Sequence, residues 1–149
     1  MESRTRVPSE SDELERLLQT MTLEQQLRFK QAVVRQAIHF VAKRLPPTNE
    51  DDGHRSCLRV ATDWLNEPTE QKARDAATYA VSECWDGGAR YDDYPRVFLE
   101  PVYAVAFDGW DSAQRAMYCV PQAEQEAARQ WQIASAHAIG RDQEPLPLV

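Results

Sequence analysis

Histidines, cysteines and one tyrosine–aspartate run are the residues whose chemistry would decide a function for this chain of 149 residues. His39, His54 and His137 fall in no HxxxH, HExxH or ExxH spacing. A carboxylate–imidazole metal site on helices commonly uses a Glu-x-x-His pair, so the spacing argues against a metal. His39 falls within an apolar run and reads as a core or helix-surface residue. The Asp51-Asp52-Gly53 cluster lacks the alternating oxygens and closing Glu of a calcium loop. Cys57, Cys84 and Cys119 are spaced by 27 and 35 residues, which makes neither a disulfide framework nor a metal knuckle. They are expected to be buried thiols in a reducing compartment. Cys57 follows His54 by three positions, a spacing that shares a helix face. Nucleophilic catalysis also needs an orienting acid, and no such triad or oxyanion site is legible. With no P-loop or dinucleotide glycine signature either, no cofactor is expected and a non-enzyme is favoured.

The stretch from Trp85 to Trp110 is richer, since it interleaves aromatics with aspartates and glutamate. Phe98, Tyr103 and Phe107 are expected to fill the core. Tyr91, Asp92, Asp93 and Tyr94 are the candidate protein-binding residues, because aromatics supply rigid contact area and carboxylates select a basic partner. The charge distribution points the same way. Net charge is -7; residues 1–60 hold ten Lys and Arg against nine Asp and Glu, and residues 61–149 hold seven against fifteen. Such an acidic portion repels a phosphate backbone, so no nucleic acid is expected. No stretch approaches the run of about 20 apolar residues that a membrane helix needs, and no membrane association is expected.

The elements that must position these residues are helical. Ser11, followed by Asp12 and Glu13, suits a helix start, and Thr22 with Gln25 has capping-box spacing. Leu23, Leu27, Val34, Ile38, Val41 and Leu45 then recur at helical intervals, with Val33, Ala37 and Phe40 widening the face. Pro46 and Pro47 stop that helix. A second is expected from His54 to Asn66, with Cys57, Leu58, Ala61, Trp64 and Leu65 inward. Thr69 caps a third, whose small inner face is Ala73, Ala76, Ala77, Ala80, Val81 and Cys84, ended by Gly87 and Gly88. A helix beginning near Pro101 is expected to run to Asp108 or Gly109. Asp111 is the expected cap of the next, with Ala113, Ala116, Met117 and Val120 inward. From Pro121 a last helix turns Ala123, Ala127, Trp131, Ala134 and Ala138 inward, beside Ile133, and Gly140 stops it. The fold class is therefore all-α, an irregular bundle of five to seven helices. The expected organisation is a flexible N-terminal lead (1–10), one helical domain (11–140) and a C-terminal tail (141–149).

The run CLRVATDWL at Cys57–Leu65, followed by PTEQKARDAATYA at Pro68–Ala80, resembles small all-helical bacterial toxin-immunity proteins. Ala61, Trp64 and Leu65 match the first of their helices, and Ala73, Ala76, Ala77 and Ala80 match the alanine-rich second. The chain departs from their pattern after Gly88. The resemblance implies a cytoplasmic protein that occludes another protein without catalysis or cofactor, and it transfers no inhibitory residue. The expected function is accordingly a non-catalytic interaction module, of inhibitor or immunity type, binding a basic partner. One alternative is a small-molecule-binding or enzymatic bundle, in which His137 or His54 meets carboxylates such as Glu126, Asp75 or Glu83 in a pocket lined by Trp64 and Trp131. Another is a structural protein that forms a homodimer through its apolar helix faces.

Overall fold

The computed structural model of the chain describes residues 10–44, 52–86 and 96–148. Among these residues the architecture is an all-α irregular bundle of seven α-helices: α1 (Glu10–Gln19), α2 (Leu23–Ala42), α3 (Asp52–Asn66), α4 (Glu70–Asp86), α5 (Glu100–Ala106), α6 (Gly109–Tyr118) and α7 (Gln125–Gly140). One-turn 3-10 segments, Arg96–Leu99 and Gln122–Glu124, precede α5 and α7.

Local chemistry accounts for most of the ends. Thr22 caps α2 through a reciprocal capping box: its hydroxyl accepts from the Gln25 amide, and the Gln25 side chain accepts from the Thr22 amide. The Thr69 hydroxyl accepts from the Lys72 amide at the start of α4. Pro101 occupies the first turn of α5, where its missing N–H costs nothing. The start of α6 differs from expectation. Asp108, not Asp111, takes the capping position, and it makes no side-chain bond to the helix. Gly109 turns the chain there at φ +56°, a conformation that glycine adopts without steric cost. Asp111 lies inside the first turn, where its charge still favours the positive helix end.

Short α5 sits at the middle, packed by α2, α3, α4 and α6. Buried apolar side chains from all seven helices join in one cluster that includes Leu14, Phe29, Trp64, Phe98, Val105 and Ile139. Three expected faces are corrected. In α2, Leu23 and Leu27 are exposed, whereas Phe29, Val33, Val34, Ala37 and Val41 are buried; Leu45 lies outside the described residues. In α4, Val81 is exposed while Ala76 and Ala80 are buried. In α7, Ala123 and Ala127, expected inward, are exposed, and Trp131 and Ala134 are half-buried. Ile133 and Ala138 are buried as expected, and the rest of the buried face runs through Ala128, Arg129, Gln132, Ser135, Ala136 and Ile139.

That α7 face turns inward because its polar side chains find partners there. The Gln132 amide donates to Gln36 Oε1 (2.8 Å) and the Ala113 carbonyl (3.0 Å), and it accepts from Arg129 Nη1 (2.7 Å). Gln36 donates in turn to the Ala128 carbonyl (3.1 Å), and Arg129 Nη2 donates to Gln114 Oε1 (2.7 Å). The Arg129 guanidinium also lies over the Trp110 ring, 4.5 Å from its centre. The chain beyond α7 is tied back to the bundle: Trp131 Nε1 donates to the Leu146 carbonyl, and Arg28 donates to the Gln143 carbonyl.

Removing the central amide strands its neighbours in a dry junction, where an unsatisfied polar group costs about 1–3 kcal/mol. Gln132→Ala is therefore expected to destabilise the fold by about 3 kcal/mol, and exposed Thr22→Ala, which removes only the α2 cap, by about 1 kcal/mol. Urea denaturation of the two variants checks the ranking; equal midpoint losses would contradict it.

Candidate functional site

Lys30 lies on the stripe of α2 that also carries Leu23 and Leu27. Its aliphatic stem is buried and its ammonium sits 5.0 Å from the centre of the Trp64 ring. Nζ donates to Asp108 Oδ1 at 2.9 Å. The two partners differ sharply in exposure, 9% for the lysine side chain and 90% for the aspartate. A buried ammonium needs a counter-charge, and Asp108 supplies it from the α5–α6 junction.

This pair stands at the base of an open groove of about 580 Å³. One wall is the α2 stripe Leu23, Gln26, Leu27 and Lys30; the other is the α4 stripe Glu70, Ala73, Arg74 and Ala77. Trp64, only 2% exposed, and Ala106 contribute apolar floor. Both walls follow the i, i+3, i+4, i+7 pattern, so each presents two helical turns, about 10 Å of length. Leu23 is 84% exposed and Leu27 37%. At the rim Glu70 is 95% exposed and bridges to Arg74 at 3.7 Å, an exposed i,i+4 pair that is worth little.

Of the residues expected to do chemistry, only some are described. Tyr91, Asp92, Asp93 and Tyr94 lie outside the described residues, as do the side chains of His54 and Cys84. His137 Nε2 lies 3.2 Å from Glu13 Oε2 on α1, so among the described side chains its carboxylate is Glu13 and not Glu126 or Asp75; the Glu83 side chain lies outside the described residues. The His137 and Glu13 side chains are partly exposed, and neither lines the groove. Of the two tryptophans expected in a shared pocket, Trp64 is in the groove, whereas Trp131 bonds the C-terminal tail. Among the described residues no group of three or more His, Cys, Asp and Glu could hold a metal ion, and no helix is long and apolar enough to cross a membrane.

Of the aromatics expected in the core, Phe98 is buried, Tyr103 is half-buried and Phe107 is exposed. Tyr103 and Phe107 stack on each other, and the Arg115 guanidinium covers both rings while bonding Glu100 at 3.3 Å. A cation thus substitutes for apolar packing on that face. Cys57 and Cys119 are buried thiols, and Cys57 Sγ lies 3.9 Å from the Tyr79 hydroxyl. Burial, with a smaller contribution from the negative charge of Glu100, pushes the Cys119 thiol well above its ordinary range, partly offset by Arg44.

The groove was missed in the sequence because Leu23 and Leu27 continue the spacing of Val34 and Val41. Lys30 was the available signal: it occupies the seven-residue gap between Leu27 and Val34 and marks where the core face ends. No protein-family model, curated protein or solved structure matches the chain.

The raised Cys119 pKa has a signed consequence for stability. The folded thiol stays protonated, while the unfolded thiol ionises near its ordinary value of about 8.5. The stabilisation is complete below that pH and is lost as pH rises above it. Wild type is therefore expected to lose more stability than Cys119→Ala between about pH 7.5 and pH 10. Parallel losses in urea melts would contradict this.

Proposed function

We propose that the protein is a non-catalytic interaction module of inhibitor or immunity type, which acts in the bacterial cytoplasm by covering a basic partner protein. The observation that carries this reading is the exposure of Leu23, at 84%, at the edge of a groove floored by Trp64. An aliphatic side chain on a capped, regular helix gains nothing from water, and an apolar patch bordered by polar residues marks a contact surface. The groove lining supports binding rather than turnover. It contains no histidine or cysteine among the described residues, and the Lys30 ammonium is already engaged by Asp108 and Trp64. The net charge of -7 favours a basic partner, while the groove itself is balanced, Asp108 pairing with Lys30 and Glu70 with Arg74. The buried thiols of Cys57 and Cys119 accord with a reducing compartment.

The test uses three baits in lysate of the native host: wild type, Leu23→Asp/Leu27→Asp, and Asp92→Ala/Asp93→Ala. The leucine variant is expected to keep the wild-type melting temperature within a few degrees, since surface changes usually cost about 0.5 kcal/mol or less. It is expected to lose a specific, basic partner that wild type retains. Loss only with the aspartate variant would move the docking site to the α4–α5 connection. Capture of no protein by any bait, even at low salt, would refute an interaction module. Sedimentation of the wild type separates the homodimer alternative: a concentration-dependent dimer that Leu23→Asp dissociates would make the second copy the partner.

A further inference from the structure

We infer that the Trp131–Ser135 face of α7 is a binding site for a proline-bracketed, extended segment of a partner protein, which the chain's own tail fills in cis. Neither residue lines the α2–α4 groove, so this site is separate from it. The tail's sequence sets its conformation. Beyond the turn at Arg141 and Asp142, residues 143–148 lie outside any helix, strand or turn. Pro145 and Pro147 hold φ in the polyproline II range, and Glu144 and Leu146, each preceding a proline, are held to the same region. A polyproline II helix has about three residues per turn. The burial follows that period: Pro145 and Leu148 are half-buried, while Leu146 and Pro147 between them are exposed.

Two side chains one turn apart on α7 read the backbone of this segment. Trp131 Nε1 donates to the Leu146 carbonyl at 3.1 Å and shares its proton with the Pro147 carbonyl at 3.3 Å. The hydroxyl of buried Ser135 accepts from the Leu146 amide at 3.4 Å. Aromatic side chains are what recognise polyproline II segments, whose backbone has no internal hydrogen bonds and stays open to donors and acceptors. None of these bonds uses a tail side chain, so another segment of the same conformation makes the same contacts. Ser135 needs an amide at the position that Leu146 holds, which sets the motif as Pro-x-Pro with x other than proline.

Exchange leaves the fold intact. The turn before the segment is fixed separately: the Asp142 and Gln143 amides bond the Ile139 and Ala138 carbonyls, and Arg28 bonds the Gln143 carbonyl. Lifting residues 144–148 therefore releases the bonds to Trp131 and Ser135 and spares that turn and α7. It uncovers an indole N–H and a hydroxyl that a replacement segment satisfies. The tail competes from within the same chain at high effective concentration, so an incoming segment has to displace it.

The probe is the peptide acetyl-Glu-Pro-Leu-Pro-Leu-amide, with a control in which both prolines are glycine. The host is the full chain carrying Pro145→Asp/Leu148→Asp, which puts charge at the two half-buried tail positions. Pro145→Gly/Pro147→Gly, which only loosens the tail, is the second host if the first loses helical circular dichroism. The readouts are the indole N–H resonance of Trp131, assigned with Trp131→Phe, and anisotropy of labelled peptide. The resonance is expected at a hydrogen-bonded position in the wild type and at that of a solvated indole in the opened host. The proline peptide is expected to return it to the bonded position. It is expected to bind the opened host about tenfold more tightly than the glycine control does, and about tenfold more tightly than it binds the wild type. Trp131→Phe in the opened host is expected to weaken it about tenfold. An indole resonance unchanged between wild type and both hosts, no return at about 1 mM peptide, equal binding of the glycine control, or binding indifferent to Trp131→Phe would each overturn the inference. A wild-type dimer that the tail substitutions dissociate makes a second copy's tail the occupant and likewise overturns it. Failure here leaves the interaction reading above standing, since its test turns on Leu23 and Leu27.

Discussion

Gln132 sits in a dry junction where its side chain must find every hydrogen bond inside the protein, because water does not reach it. It bonds Gln36 on α2, the Ala113 carbonyl on α6 and Arg129 on its own helix. These contacts lock the rotation of α7 and α2 against each other, since an amide that misses its partners in a low-dielectric interior costs more than most apolar contacts contribute. The consequence reaches the far side of α2. At about 100° per residue, Leu23, Leu27 and Lys30 lie roughly 120–180° around the helix from Gln36. Pinning Gln36 toward α7 therefore turns the groove stripe away from it.

A second constraint then shapes the α5–α6 junction. Burying the Lys30 stem against Trp64 brings its ammonium under the surface, where it requires a counter-charge. Asp108 serves Lys30, and its side chain leaves α6 without the cap its position would normally provide. Gly109, at positive φ, lets the chain make this turn. One buried cation thus links the wall of α2, the floor on α3 and the start of α6.

The groove follows from these two constraints together. Its walls are helices held from behind, by Gln36 for α2 and by Ala76 and Ala80 in the core for α4. Its charges are balanced, Lys30 against Asp108 and Arg74 against Glu70. Among the described residues no histidine or cysteine lines it. His137 pairs with Glu13 on another surface, and Cys119 is held as a buried, protonated thiol.

Local signals in the sequence determined the helical class and most helix ends. The Thr22–Gln25 box, Thr69 and Pro101 act within one turn of their own positions, so no distant residue is needed to predict them. The inward face of α3 was also legible, because Cys57, Ala61 and Trp64 are apolar at helical spacing and buried. The face of α7 was not, since Arg129, Gln132 and Ser135 carry polar side chains whose partners lie in other helices. Nor was the candidate site. Leu23 and Leu27 have the same spacing as core leucines, and only tertiary structure decided that no described helix covers them and that Asp108, 78 positions from Lys30, comes to neutralise it. Hydrophobic periodicity reports which residues share a face; which faces meet is set by packing and by the satisfaction of buried polar groups across the whole chain.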